Sequence, residues 1–129
     1  MFTLVQIKEA HAKVKSGADF PNYIKDLIGL GVTNYETFVS DGHTVFEGNE
    51  EYKIISEPKY NALIISDSVN VEQFKSDLKD HQQGKTDYMT FCNDCAKSGV
   101  EKWKVSMKGM TCTYFDKKEN EMLQEIIPQ

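Results

Sequence analysis

The chain repeats its own punctuation at a distance of 68 residues. Asp19 falls on Asp87, Asp26 on Asp94, Gly31 on Gly99 and Val32 on Val100, all identical, and aromatics fall on aromatics at Phe20/Tyr88, Tyr23/Phe91 and Tyr35/Trp103. A shift of 67 relates the preceding stretches, laying Leu4 on Val71, Ile7 on Phe74 and Gly17 on Gly84. Further along, Asn49-Glu50 and Asn120-Glu121 each precede a stretch that ends in Ile-Ile. Self-similarity at a fixed spacing marks a repeated structural unit. The expectation is a duplicated ααβββ unit with pseudo-twofold symmetry, its halves covering about 1–66 and 67–129. A lone three-stranded sheet with one covered face is only marginally stable, and 129 residues leave little room for two separate cores. The halves are therefore expected to share one core in a single domain, residues 1–129.

Local signals fill in the unit. Thr3 and Gln6 have capping-box spacing, and Leu4, Ile7, His11 and Val14 recur at helical intervals until Gly17, which predicts a helix over 4–16. Asp19 and Pro21 open a second helix with an apolar stripe of Phe20, Tyr23, Ile24, Leu27 and Ile28, ended by Gly29 and Gly31. From Val32 onward, β-branched and aromatic runs predict strands near 33–40, 43–48, 51–56 and 61–66, with Asp41-Gly42 as a type I′ hairpin turn. In the second half, Asn70 caps a helix carrying Val71, Phe74, Leu78 and His81, and Thr86 or Asp87 caps one carrying Tyr88, Phe91, Cys92, Cys95 and Ala96. Strands are expected at about 100–107, 110–115 and 121–127. The fold class is α+β, four helices packed on a largely antiparallel sheet.

Charge and composition narrow the function. The net charge is −5, without a long run of one sign, which argues against nucleic acid because phosphate contacts need clustered Lys and Arg. No apolar stretch reaches the roughly 18 residues of a membrane helix, and the first residues lack a signal-peptide layout, so a cytoplasmic protein away from membranes is expected. Three cysteines in such a chain point to reduced thiols rather than a disulfide framework.

Cys92-Asn93-Asp94-Cys95 is the motif with the most chemistry, since two thiolates at i and i+3 suit zinc or a redox disulfide. Only one such pair exists, and in the repeat Cys92 falls on Ile24, Cys95 on Leu27 and Cys112 on Thr44 or Val45. Free Cys behaves as a small hydrophobe, so three core thiols are the plain alternative, with no cofactor and no metal. His11 and His81 sit on apolar stripes and read as hydrogen-bonded core residues. His43, beside the Asp41-Gly42 turn, is expected on the surface, where it makes an acid–imidazole pair with Asp41. Such a pair serves a nucleophilic triad, but no nucleophile motif accompanies it. Trp103 heads a strand in which it alternates with Lys102 and Lys104, and Tyr52, Tyr60 and Tyr114 are further aromatics that could line a groove between the halves. The binding candidates are thus Asp41, His43, Cys92, Cys95 and Trp103.

Ser40-Asp41-Gly42-His43-Thr44, Thr86-Asp87-Tyr88, Phe91-Cys92, Gly99-Val100-Glu101-Lys102-Trp103 and Met110-Thr111-Cys112-Thr113-Tyr114 together resemble the YbcV-like family of small bacterial and prophage proteins, often labelled phage envelope protein. The resemblance runs over nearly the whole chain and implies an α+β domain, with no established activity or catalytic residues. Two functional readings follow. One is a non-enzymatic binding module for a protein or small-molecule ligand, acting through a groove between the halves; the other is a thiol-dependent redox or zinc protein using Cys92 and Cys95.

Overall fold

The computed structural model describes residues 2–15 and 19–127. In chain order the elements are α1 (Leu4–His11), α2 (Phe20–Leu30), β1 (Val32–Phe38), β2 (Thr44–Gly48), β3 (Lys53–Ile55), α3 (Val71–Gln82), α4 (Tyr88–Lys97), β4 (Lys102–Ser106), β5 (Thr111–Phe115) and β6 (Glu121–Ile126). The class is α+β as expected, with four helices and one six-stranded antiparallel sheet among the described residues.

Three of the four helix starts follow the sequence signals. The Thr3 hydroxyl accepts from the Gln6 N–H while the Gln6 side chain accepts from the Thr3 N–H, a reciprocal box that satisfies two orphan donors. Asn70 and Asp87 cap α3 and α4 by accepting the N–H groups of Gln73 and Thr90. Asp19 does not cap α2 through its side chain; its carboxylate accepts from the Lys15 N–H instead. Helix α1 ends at His11 rather than near residue 16, and the Gly17 cap lies outside the described residues. Helix α2 runs through Gly29 to Leu30 and stops at Gly31, whose φ is +100°. A mid-helix glycine costs about 0.5–1 kcal/mol, whereas full burial of one aliphatic side chain contributes roughly 1.5–3 kcal/mol. Ile24 and Leu27, both without accessible surface, outweigh Gly29.

The strand order is β3-β2-β1-β4-β5-β6, so the first strand of each half meets the other at the centre. In that antiparallel pair Glu36 lies opposite Lys104, residues 68 apart, with Tyr35 opposite Val105 on one side and Thr37 opposite Trp103 on the other. Ile54, Phe46, Tyr35, Val105 and Cys112 form one cross-strand row on the helix side, and Thr44, Thr37, Trp103, Tyr114 and Leu123 form the next. The opposite face carries Ile55, Val45, Glu36, Lys104, Thr113 and Gln124. There Lys102 is no free basic strip. Its ammonium pairs with Glu36 at 3.2 Å and Glu119 at 3.0 Å between the rings of Phe38 and Phe115. One cluster of buried side chains includes Ile7, Ile24, Leu27, Tyr35 and Phe46 from the first half with Phe74, Phe91, Cys95, Val105 and Tyr114 from the second.

Two strand expectations are corrected. The β1–β2 connection is not a two-residue type I′ turn: only Gly42 of the pair has positive φ, and the loop closes through Gly42 N–H to Phe38 O and Phe38 N–H to His43 O. The stretch 61–66 is no strand. Its backbone is held by scattered partners rather than a ladder, with Leu63 N–H on Ser40 O and Ser66 N–H on Ala96 O, flanked by Lys59 N–H on Asp41 O and Asn70 N–H on Ser98 O. This connector thus runs from the β1–β2 loop to the end of α4. Its apolar run alternates in fate, Ile65 being buried and Ile64 93% exposed.

Gly99, at φ +88°, turns the chain from α4 toward β4, and a Cβ there would stand 3.1 Å from Ser68 O and 3.2 Å from Val69 Cα. Gly84 has a similar φ of +79° with open space around it. Gly84→Ala is expected to cost about 1–2 kcal/mol, the left-handed penalty alone. Gly99→Ala should cost more, because the connector backbone must also move; urea unfolding of the two variants checks this, and equal losses would contradict the close approach.

Candidate functional site

Helices pack closely in pairs, α1 on α2 and α3 on α4. The two pairs adjoin along a seam over the helix-side rows of the two central strands, where side chains of separate elements come together. Helix α2 brings Tyr23 to it, β1 brings Tyr35, α4 brings Tyr88 and Cys92, and the connector brings Lys59 and Tyr60. The Lys59 ammonium lies 5.8 Å from the centre of the Tyr88 ring, and His11 at the end of α1 stands edge-on to Tyr23 at 5.3 Å. Tyr60 donates to Val39 O at 2.6 Å, and its ring lies against Gly42, where a Cβ would come within 2.6 Å of it.

The electrostatics follow from burial. Desolvation raises the Cys92 thiol, opposed by hydrogen bonding with Tyr60 and Tyr88 and by the Lys59 charge. Burial raises Cys95 well above the usual thiol range and pushes Cys112 up to about 12. Tyr23 is raised by burial to about 12, and Tyr35 is raised well above its ordinary value by burial and then by Tyr23, Cys112 and Tyr88. Burial also raises Tyr60 and Tyr88. These phenols are neutral hydrogen-bond donors at physiological pH. Partial desolvation lowers Lys59, with Cys92 opposing and Lys8 adding to the shift; His11 is lowered by partial desolvation and then by Lys59.

The sequence candidates fall into three places. Cys92 and Cys95 occupy in α4 the positions that Ile24 and Leu27 occupy in α2, and all four side chains have no accessible surface. Cys112 is buried under the helices on β5. Trp103 is half-buried among Phe91 and Tyr114, at ring separations of 5.9 and 6.1 Å. Asp41 and His43 stand behind Tyr60 in the β1–β2 loop. The Asp41 carboxylate accepts from the His43 N–H at 2.9 Å and lies 2.5 Å from its Nδ1, and the imidazole stacks on Phe38 at 4.5 Å. His43 is therefore half-buried and braced rather than a freely exposed surface group. His11 departs from the core reading and is exposed, while His81 stacks on Phe91 at 4.4 Å with Nδ1 3.1 Å from Thr86 O. Tyr52 donates to Phe2 O away from the seam, and Tyr114 is buried. Among the described residues, no three His, Cys, Asp or Glu side chains converge as a metal site requires, and no helix is long and apolar enough to cross a membrane. Two open hollows of about 260 and 370 Å³ lie near Met107 and between α1 and α2, and neither includes any of the sequence candidates.

A family model matches residues 8–126 of this chain. The chain belongs to that family, described as protein of unknown function (DUF1398). No curated protein matches the sequence. In this DUF1398 protein the matched span covers both halves of the sheet and every group of the seam, including Lys59 and Tyr60. Those two lie just before the stretch 61–66 that was expected as a fourth strand. The preceding Glu57-Pro58, a strand breaker, is the signal that marked the irregular course.

Asp41 gives a pH-dependent expectation. Burial opposes its ionisation, but hydrogen bonds from the His43 backbone and side chain outweigh it and lower its pKa from 3.8. A depressed folded pKa contributes stability that is full above the unfolded value and lost as pH falls through the folded one. Asp41→Asn should therefore be less stable than wild type at pH 7, with the gap closing below pH 3.8 in denaturant unfolding across a pH series. A gap that stays constant would contradict the pairing.

Proposed function

We propose that this protein is a non-enzymatic binding module that receives a ligand or partner at the seam between its two helix pairs. The observation that carries this reading is the complete burial of Cys92 and Cys95. The thiolate is the nucleophile and the metal ligand, and desolvation holds both thiols in the neutral form. A redox or zinc role would require α4 to lift from the sheet. An Asp on the imidazole Nδ1 is also the arrangement of a catalytic pair, but Asp41 and His43 suit a loop brace better, since the ring face lies on Phe38 and no hydroxyl or thiol among the described residues bonds the other ring nitrogen. The seam offers the opposite balance, with partly exposed Tyr88, Tyr60 and Lys59 above nearly buried phenols.

The same reading takes the chain as one domain built from a duplicated ααβββ unit. Support comes from Glu36 facing Lys104 in the central pair, so that partners on either side are related by the 68-residue shift. Three free cysteines support a reducing, cytoplasmic setting, and the Gly99-Val100-Glu101-Lys102-Trp103 block supports a place beside the YbcV-like proteins.

Titration of the native protein with a disulfide reagent tests the reading against its thiol-dependent alternative. All three cysteines are expected to stay unreactive until denaturant is added. A fast-reacting thiol that disappears in Cys92→Ser, or stoichiometric zinc lost with it, would overturn the non-enzymatic assignment of this site.

A further inference from the structure

Helix α2 carries a glycine that its fold does not use. Gly29 is exposed in the last turn, its φ is not positive, and a Cβ there would meet nothing within 4 Å. Neither a left-handed backbone nor a close approach within the chain therefore calls for glycine. The 68-residue shift lays Gly29 on Lys97 in the last turn of α4, between the identical pairs Asp26/Asp94 and Gly31/Gly99. A lysine there is a good helix former and suits the negative end of the helix, so Gly29 costs α2 stability and leaves open space beside it. That space is the hollow of about 370 Å³ between α1 and α2, which shares no residue with the seam. Glu9 and Lys13 line it from α1 and the turn after it, Lys25 and Asp26 from α2. Lys13 and Asp26 join the two walls at 3.9 Å. Glu9 and Lys25 form no ion pair among the described residues, which leaves one charge of each sign unmatched at the same hollow.

We propose that this hollow binds a small zwitterion of the α-amino acid class, with its carboxylate at Lys25, its ammonium at Glu9 and its body over Gly29. The charges of the walls select the class. An anion would leave Glu9 unmatched and face two carboxylates, a cation would leave Lys25 unmatched and face two ammonium groups, and only a ligand with both signs complements the two free groups together. The missing Cβ at Gly29 lets such a ligand lie close to the α2 backbone, a use to which glycine is suited. Its side chain must be small, because Leu30 is the one large apolar residue in the walls. The site goes beyond the seam reading and does not depend on it.

Glycine, L-alanine and L-serine are the probes, added to the full-length protein and followed by NMR, with propionate and ethylamine as the single-charge counterparts of alanine. At least one amino acid is expected to perturb the amides of Ala10, Lys25 and Gly29, with both counterparts about fivefold weaker, the upper end for solvent-exposed ion pairs. Lys25→Met and Glu9→Gln, both at exposed positions, should each weaken binding by a similar factor with the fold intact. Gly29→Ala separates the site from the fold most sharply: it is expected to raise the melting temperature by about 2–4 °C, through helix propensity alone, while weakening the amino acid. Equal binding of propionate or ethylamine would overturn the zwitterionic class. A Gly29→Ala protein that binds as wild type does, or no perturbation at the hollow by any of the three amino acids, would overturn the site.

Discussion

Everything in this molecule hangs on one strand pair. Antiparallel pairing of β1 with β4 joins two three-stranded sheets into one of six strands, and it does so about the Glu36–Lys104 pair. Without that pairing each half would have two helices on a small sheet with two open edges, a size at which independent stability is marginal. With it, the helix-side rows become continuous from Ile54 to Cys112. A single buried cluster then draws on both halves. The pairing also sets where the two helix pairs meet, because both lie over one continuous sheet.

The cysteines show how a motif loses its chemical meaning inside such a frame. The spacing of Cys92 and Cys95 is also the spacing of two core positions on one helix face, and Ile24 and Leu27 fill the same positions in α2. Burial decides between the two meanings, since it removes the water that would stabilise a thiolate. The polar character of the region comes from other residues. Tyr60 and Lys59 reach the seam from an irregular connector, whose course is held by scattered N–H groups on loop and helix carbonyls, Lys59 and Tyr60 on Asp41 O, Leu63 on Ser40 O and Ser66 on Ala96 O.

Much of this was legible in the sequence. Helix starts at Thr3, Asn70 and Asp87 follow from side-chain acceptors placed just before apolar stripes. The central strands follow from period-two alternation, and the order of elements from the repeated Gly-Val punctuation. Errors arose where tertiary contacts override local preference. The Leu63-Ile64-Ile65 run has strand composition but no strand partner beside it, and Asp41-Gly42 has hairpin composition but is spread into a wider loop braced by His43. Asp41 and His43 were found as a pair because their bond is local. A groove between the halves was expected with Tyr60 in it, but not with Lys59, Tyr88, His11 and Tyr23, because Lys59 meets Tyr88, and His11 meets Tyr23, only through the packing of separate elements.

Native-state hydrogen exchange tests the shared sheet most directly. The account predicts that amides in the β1–β4 ladder, among them those of Tyr35, Thr37 and Val105, are the most protected, and that buried amides of both halves exchange with the same free energy as global unfolding. If one half opened at a clearly lower free energy while the other kept full protection, the halves would be separate folding units, and the central pairing would not be what holds the structure together.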